Sequence, residues 1–190
     1  QPSKVQRMSK NYVGNIKNNK VSNHSVMAKV FHWGFAIAFT YGIAKQVDNI
    51  GQLEDFALLR FEVIFAVGWL VLLALRYVYM SKVETPELPD DTSQFQKIAA
   101  KVVHLGMYVS FAAVAITGLL IGLVFWMGLK SGILVSAILG LHGISVNVTY
   151  LLVTIHIIAA VLHRFKRNGV WDSMVPVWKE AKESQSGTKD

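Results

Sequence analysis

The residues of this 190-residue chain best suited to ligation or redox chemistry are its six histidines. Three of them, His142, His156 and His163, share the apolar stretch GLHGISVNVTYLLVTIHIIAAVLHRFKRNG, spaced fourteen and then seven residues apart. On a helix turning about 100° per residue, fourteen positions return to within about 40° of the same face and seven to within about 20°. The fourteen-residue step rises about 21 Å, which puts His142 near one membrane boundary and His156 about two-thirds of the way across. His32, in KVFHWGF, and His104, in KVVHLGMY, sit near the ends of two other apolar runs, in the leaflet of His156. His24 lies in a polar arm and reads as a solvated side chain. Ionisable residues inside a membrane span default to function, and two same-face histidines at this separation suit one haem each, enclosed in a four-helix interior. Such an arrangement requires partner ligands from other helices.

Four apolar runs supply those helices: Val30–Val47, Phe61–Met80, Val102–Trp126 and Leu141–Leu162. Each is about the 17–25 residues that cross a hydrocarbon core as a helix. The chain is 53% hydrophobic and 16% charged, against about 25% charged residues in an ordinary soluble domain. The expected fold is an all-α membrane protein, a four-transmembrane-helix bundle with both termini cytoplasmic. Residues 1–25 form a flexible basic cytoplasmic arm, 26–178 the four-helix membrane domain and 179–190 a polar tail. The MGLKSGILVSAILG connection is either a small interfacial helix or an extension of the fourth span, and VETPELPDDTSQFQ is a loop with a helix start near Asp91–Ser93. The FKRNGVWDSMVPVW stretch suits the headgroup boundary.

The net charge of +7 invites a nucleic-acid reading, but its placement argues otherwise. Lysine and arginine concentrate before the first span, in the second loop and after the fourth span, the pattern of cytoplasmic segments under the positive-inside rule. With no cysteine, disulfides, iron–sulfur ligation and covalent c-type haem attachment are excluded. The first 29 residues lack the apolar core of a cleavable signal peptide, so the first span is expected to act as an uncleaved targeting signal.

Taken in order, FHW, then LRY with TPELP, then KIAAKVVHLGMY…TG, then H…H at fourteen followed by HIIAAVLH and NGVWDSMVP, resemble the bacterial cytochrome b561 family. That family is related to the cytochrome b subunits of nickel–iron hydrogenase and formate dehydrogenase. The resemblance runs from Val26 to Pro176. It implies a multi-pass protein of the bacterial inner membrane carrying non-covalent haem b between pairs of histidines. By that resemblance His32 and His156 hold the iron of the cytoplasmic-side haem, and His142 is one ligand of an outer haem. His104 and His163 match further family histidines near haem propionates or a quinone, and Arg76 and Arg164 are candidates for propionate pairing, for which guanidinium is suited; simple interfacial snorkelling is the other reading of both arginines.

The outer site departs from the family. The second span, LLRFEVIFAVGWLVLLALRY, holds no histidine, and Glu62 stands where the family spacing from Arg76 expects one. Glutamate is a poor ligand for a low-spin b haem, which favours nitrogen or thioether. Four readings stand open: no outer haem, with Glu62 and His142 a polar or hydrogen-bonded pair; a haem on His142 alone; Met127 in place of the missing ligand; or a different alignment of the second helix.

The expected function is single-electron transfer, to or from the quinone pool, as an electron-transfer protein or quinone-linked oxidoreductase with one secure haem b. A histidine such as His104 can exchange a proton near neutral pH. The alternative is an accessory or anchoring cytochrome b subunit of a larger respiratory or dehydrogenase complex. Expected partners are lipid, quinone or quinol, and another redox subunit or cytochrome, with no nucleic acid.

Overall fold

Polar residues start three of the four long helices. Ser25 caps α1 (Val26–Ala44) by accepting from Ala28 N at 3.1 Å. A short 3-10 turn, Ile50–Glu54, leads to Asp55, which caps α2 (Phe56–Lys82) by accepting from Ala57 N at 2.8 Å. Ser93 caps α3 (Gln94–Trp126) through Gln96 N at 3.3 Å. Each side chain satisfies one of the backbone donors that a helix start leaves open. Helix α4 (Ile133–Lys166) begins after Gly132, whose φ of 111° no β-carbon tolerates easily. The short α5 (Val170–Met174) follows Gly169. The computed structural model describes residues 25–47, 49–83 and 92–180. The expected N-terminal arm with His24, the TPELP loop with Asp91, and the tail beyond residue 180 lie outside them.

Helices α1 to α4 are long and apolar enough to cross a membrane, and no strand occurs among the described residues. Helices α2, α3 and α4 extend beyond the apolar runs that announced them, whereas α1 starts four residues before its expected run and ends at Ala44, three residues short of Val47. The MGLKSGILVSAILG segment settles into two parts. Met127–Gly132 turns the chain, and α4 starts at Ile133 as an extension of the fourth span.

The helices alternate in direction, as two packed clusters demonstrate. The start of α1, the end of α2, the start of α3 and the end of α4 share one end of the bundle, here called the termini end. Phe35, Trp69, Leu73, Phe111 and Ala115 pack on the termini side of the middle. Leu53, Leu59, Ile121, Val124, Phe125 and Val135 pack at the opposite end, beneath the connecting turns. Outward residues such as Ile37, Ile64 and Leu151 remain at least 60% exposed, a surface that lipid covers.

Lipid offers helices little hydrophobic reason to associate, so close approach and dispersion do the work. The most extensive contact is α3 with α4, followed by α2 with α3; α1 touches α2 more sparsely. Ser110, Thr117, Ser145 and Thr149 are buried along α3 and α4. Each hydroxyl is small enough to admit the neighbour and bonds a carbonyl of its own helix. Gly122 brings α3 against α2: a β-carbon there would stand 2.7 Å from Val63 Cγ2.

Candidate functional site

Four elements deliver side chains to one cluster at the termini end. His32 comes from the second turn of α1, Arg76 from the last third of α2, His104 and Tyr108 from the first half of α3, and His156 from α4. The His32 and His156 rings face across the bundle with centroids 6.1 Å apart, and His104 meets His156 edge-on at 5.1 Å. Arg76 donates through Nη2 to His32 Nδ1 at 3.4 Å and through Nε to the Tyr108 hydroxyl at 3.2 Å. Its guanidinium also lies 5.4 Å from the Phe35 ring centre. His104 donates Nδ1–H to the Ala100 carbonyl at 2.7 Å, so a neutral His104 keeps its lone pair on Nε2. His156 has no hydrogen bond among the described residues, which leaves both its ring nitrogens uncommitted.

The spacing tests whether a haem fits. Two imidazole nitrogens, each about 2 Å from a shared metal on opposite sides, place their ring centres roughly 6 Å apart. His32 and His156 meet that requirement. They come from α1 and α4, which do not pack closely together, and a cation, Arg76, stands beside them. Among the described residues no group of three or more His, Asp or Glu side chains is arranged to hold a metal ion. Two axial imidazoles therefore suit a metal whose remaining donors come from a macrocycle.

At the opposite end the helices enclose a cavity of about 330 Å³. Glu62 of α2 and His142 of α4 both line it, with Phe39, Phe65, Trp69 and Phe111 among its walls. The two polar residues do not bond each other, which corrects the hydrogen-bonded-pair expectation. His142 Nδ1 instead meets Thr117 Oγ1 at 2.9 Å, because Thr117 projects from α3, the helix that packs tightest on α4. Glu62 has no hydrogen-bond or ion-pair partner among the described residues. Met127 caps α3, 61% exposed, and is not among the cavity residues.

His163 and Arg164 sit farther along α4, beyond the His156 cluster. Asn168 Nδ2 donates to His163 Nδ1 at 2.8 Å. Arg164 donates to the Trp178 carbonyl at 3.1 Å and lies 4.1 Å over its indole ring. The chain reaches Trp178 because Arg167 and Gly169 adopt left-handed conformations, φ 53° and 80°, and turn it back. Trp33 donates to the Met174 carbonyl at 3.2 Å, tying this return to α1.

Sequence reasoning missed Tyr108 and Thr117. Tyr108 lies four residues beyond His104, one helical turn on the same face, and that spacing was the signal available. Thr117 opens the TG that closes the quoted KIAAKVVHLGMY…TG piece, but a threonine inside an apolar helix ordinarily bonds its own i−4 carbonyl, so nothing in the sequence tied it to His142. A family model described as prokaryotic cytochrome b561 matches residues 23–177. No curated protein and no solved structure matches the chain.

Proposed function

Because the chain belongs to the prokaryotic cytochrome b561 family, we propose that it passes single electrons between the membrane quinone pool and one haem b held by His32 and His156. Membership itself makes it a membrane b-type cytochrome of electron transfer. The observation that carries the finer reading is the 6.1 Å separation of the His32 and His156 rings across facing helices.

Bound there, haem supplies an iron that alternates between ferric and ferrous while its ligands stay in place. The chain's own residues do the rest. His32 and His156 would hold the haem iron through ring nitrogens. Arg76, now 3.4 Å from His32 Nδ1, would pair with a propionate, for which its guanidinium is suited. Tyr108 fixes Arg76 from behind. Phe35, Trp69 and Phe111, mutually packed at centroid distances of 4.3 to 5.4 Å, exclude water on the bundle side. His104 and His163 supply polar edges toward the termini end. The basic flanks of α1, α3 and α4 support a cytoplasmic position for that end under the positive-inside rule, in a bacterial inner membrane.

The count of one haem draws support from the opposite cavity, where Glu62 stands at the position the family gives a nitrogen ligand and no Lys or Arg among the described residues lines the walls. The same observation favours a second reading, an accessory or anchoring cytochrome b subunit of a larger respiratory or dehydrogenase complex that supplies the missing redox centre.

Haem b per chain, measured as the pyridine haemochromogen, tests the first reading. The wild type should hold close to one, and His32→Ala and His156→Ala should each lose most of it. Haem retained at the wild-type level in either variant overturns the ligand pair, and two haems per chain overturn the count. Reduction of the purified protein by a short-tailed quinol separates a quinone-linked carrier from an accessory subunit, which co-purifies with a catalytic partner.

A further inference from the structure

The cavity at the end opposite the histidine cluster has a definite chemical character. Aromatic side chains supply much of its wall, with Phe39, Phe65, Trp69 and Phe111 at its inner side. Its volume of about 330 Å³ falls at the lower end of small-molecule sites, which span about 300–1,000 Å³. Among its polar groups are His142, Glu62 and a Tyr150–Gln46 hydrogen bond of 3.2 Å that bridges α4 to α1.

Thr117 decides what His142 offers. The Thr117 hydroxyl is 2.6 Å from the Ala113 carbonyl, and a hydroxyl has a single proton to give. The 2.9 Å contact with His142 Nδ1 therefore runs the other way, from Nδ1–H to the threonine oxygen. A neutral His142 then holds its lone pair on Nε2. A ring nitrogen fixed by a hydrogen bond on its far side is pre-oriented to receive a donor or a metal. Glu62, unpartnered among the described residues, offers a carboxyl oxygen as acceptor whether it is ionised or protonated. An apolar cavity with two acceptors is complementary to a ring that carries donors.

The charge around it discriminates between occupants. A haem brings two carboxylates that require cations, as Arg76 offers at the other end. Here no Lys or Arg among the described residues lines the wall; Lys45 lines only a small adjoining pocket that shares Glu62, and Lys130, on the nearby connection, is already paired with Glu54 at 3.1 Å. A neutral hydroxylated ring needs no such neutralisation.

We propose that this cavity binds the headgroup of a membrane hydroquinone, its ring against the aromatic wall and its hydroxyls donating to His142 Nε2 and a Glu62 carboxyl oxygen. The proposal rests on the quinone-coupled reading above and assigns that reading its site. The site is distinct from the His32–His156 cluster, separated along α4 by the fourteen residues from His142 to His156.

The test uses the full chain in lipid nanodiscs, anaerobic and with haem already reduced, so that binding is measured without electron transfer. The probes are decyl-hydroquinone and its dimethyl ether, which keeps the ring and tail but lacks both donors. The hydroquinone should bind at least about tenfold more tightly than the ether, the scale of one or two hydrogen bonds. Glu62→Leu and His142→Phe should each weaken the hydroquinone by about tenfold and leave the ether nearly unchanged, with haem per chain at the wild-type value. Affinities within twofold of wild type in both variants overturn the proposal. So does a second haem per chain that His142→Phe removes. Failure of the underlying functional reading shows separately, as a haem that the same hydroquinone does not reduce when presented oxidised.

Discussion

Replacing Arg76 by leucine isolates what the charged member of the histidine cluster contributes. The guanidinium makes two side-chain hydrogen bonds, to Tyr108 at 3.2 Å and to His32 at 3.4 Å. On the reading proposed above, Arg76 would pair with a haem propionate. A hydrogen bond to a charged group contributes about 1.5–3 kcal/mol, and at 1.4 kcal/mol per decade this predicts haem affinity weakened roughly 10- to 150-fold. Arg76→Lys should recover part of the loss, because a lysine keeps the charge without the planar fork. Tyr108→Phe removes only the 3.2 Å positioning bond and should cost a few-fold. Arg164→Leu deletes an equal charge from a neighbouring helix end, yet Arg164 is engaged with Trp178, so its haem affinity should stay within twofold of wild type. The assay is transfer of haem to an excess of apoglobin, followed by absorbance. Equal haem loss from Arg76→Leu and Arg164→Leu would refute the reasoning, since only a diffuse charge effect would then be at work. So would Arg76→Leu binding as tightly as wild type.

His104→Ala should keep haem near one per chain, because His104 meets His156 edge-on at 5.1 Å and acts beside the ligand pair; haem content of the purified variant checks this. Gly122→Ala forces a β-carbon to 2.7 Å from Val63 Cγ2, and overpacking of this kind costs about 1–3 kcal/mol; the denaturation midpoint in detergent should fall, while Gly140→Ala, with open space around it, should leave it unchanged. The absence of cysteine makes single-cysteine labelling clean: Ser131→Cys should react with an impermeant maleimide added to intact cells, and Lys97→Cys only after lysis. Opposite labelling would reverse the assigned orientation.

The spans were legible because they follow from apolar length, whereas periodicity put His142 and His156 on one face and only the family resemblance paired His32 with His156. The start of α3 was legible too, near Asp91–Ser93, where Ser93 caps the helix; the starts of α1 and α2 were not, since Ser25 and Asp55 cap from outside the apolar runs. Glu62 and His142 were legible as one site, yet their relation was not. Thr117 took the His142 proton, and only the approach of α3 to α4 brings those two residues together. Arg164 resembled Arg76 by composition and position. Two left-handed residues beyond the end of α4 redirected it to Trp178, and a non-glycine residue such as Arg167 gives little notice of such a turn.

Between the histidine cluster and the cavity lie Phe35, Phe39, Trp69 and Phe111, packed ring to ring. Such a layer is a barrier to one particle and a passage for another. Rings packed edge to face lack the chain of hydroxyls and waters along which protons hop, while an electron can tunnel through packed carbon. If a hydroquinone is oxidised in the cavity, as proposed above, its protons would stay on that side while its electrons pass toward a haem at His32 and His156. Charge would then be separated across part of the bilayer, and the membrane potential acts on such charge with up to about 2.3 kcal/mol per elementary charge per 100 mV for a full crossing. On that reading the four rings would couple the chain's redox balance to the energised state of the membrane around it.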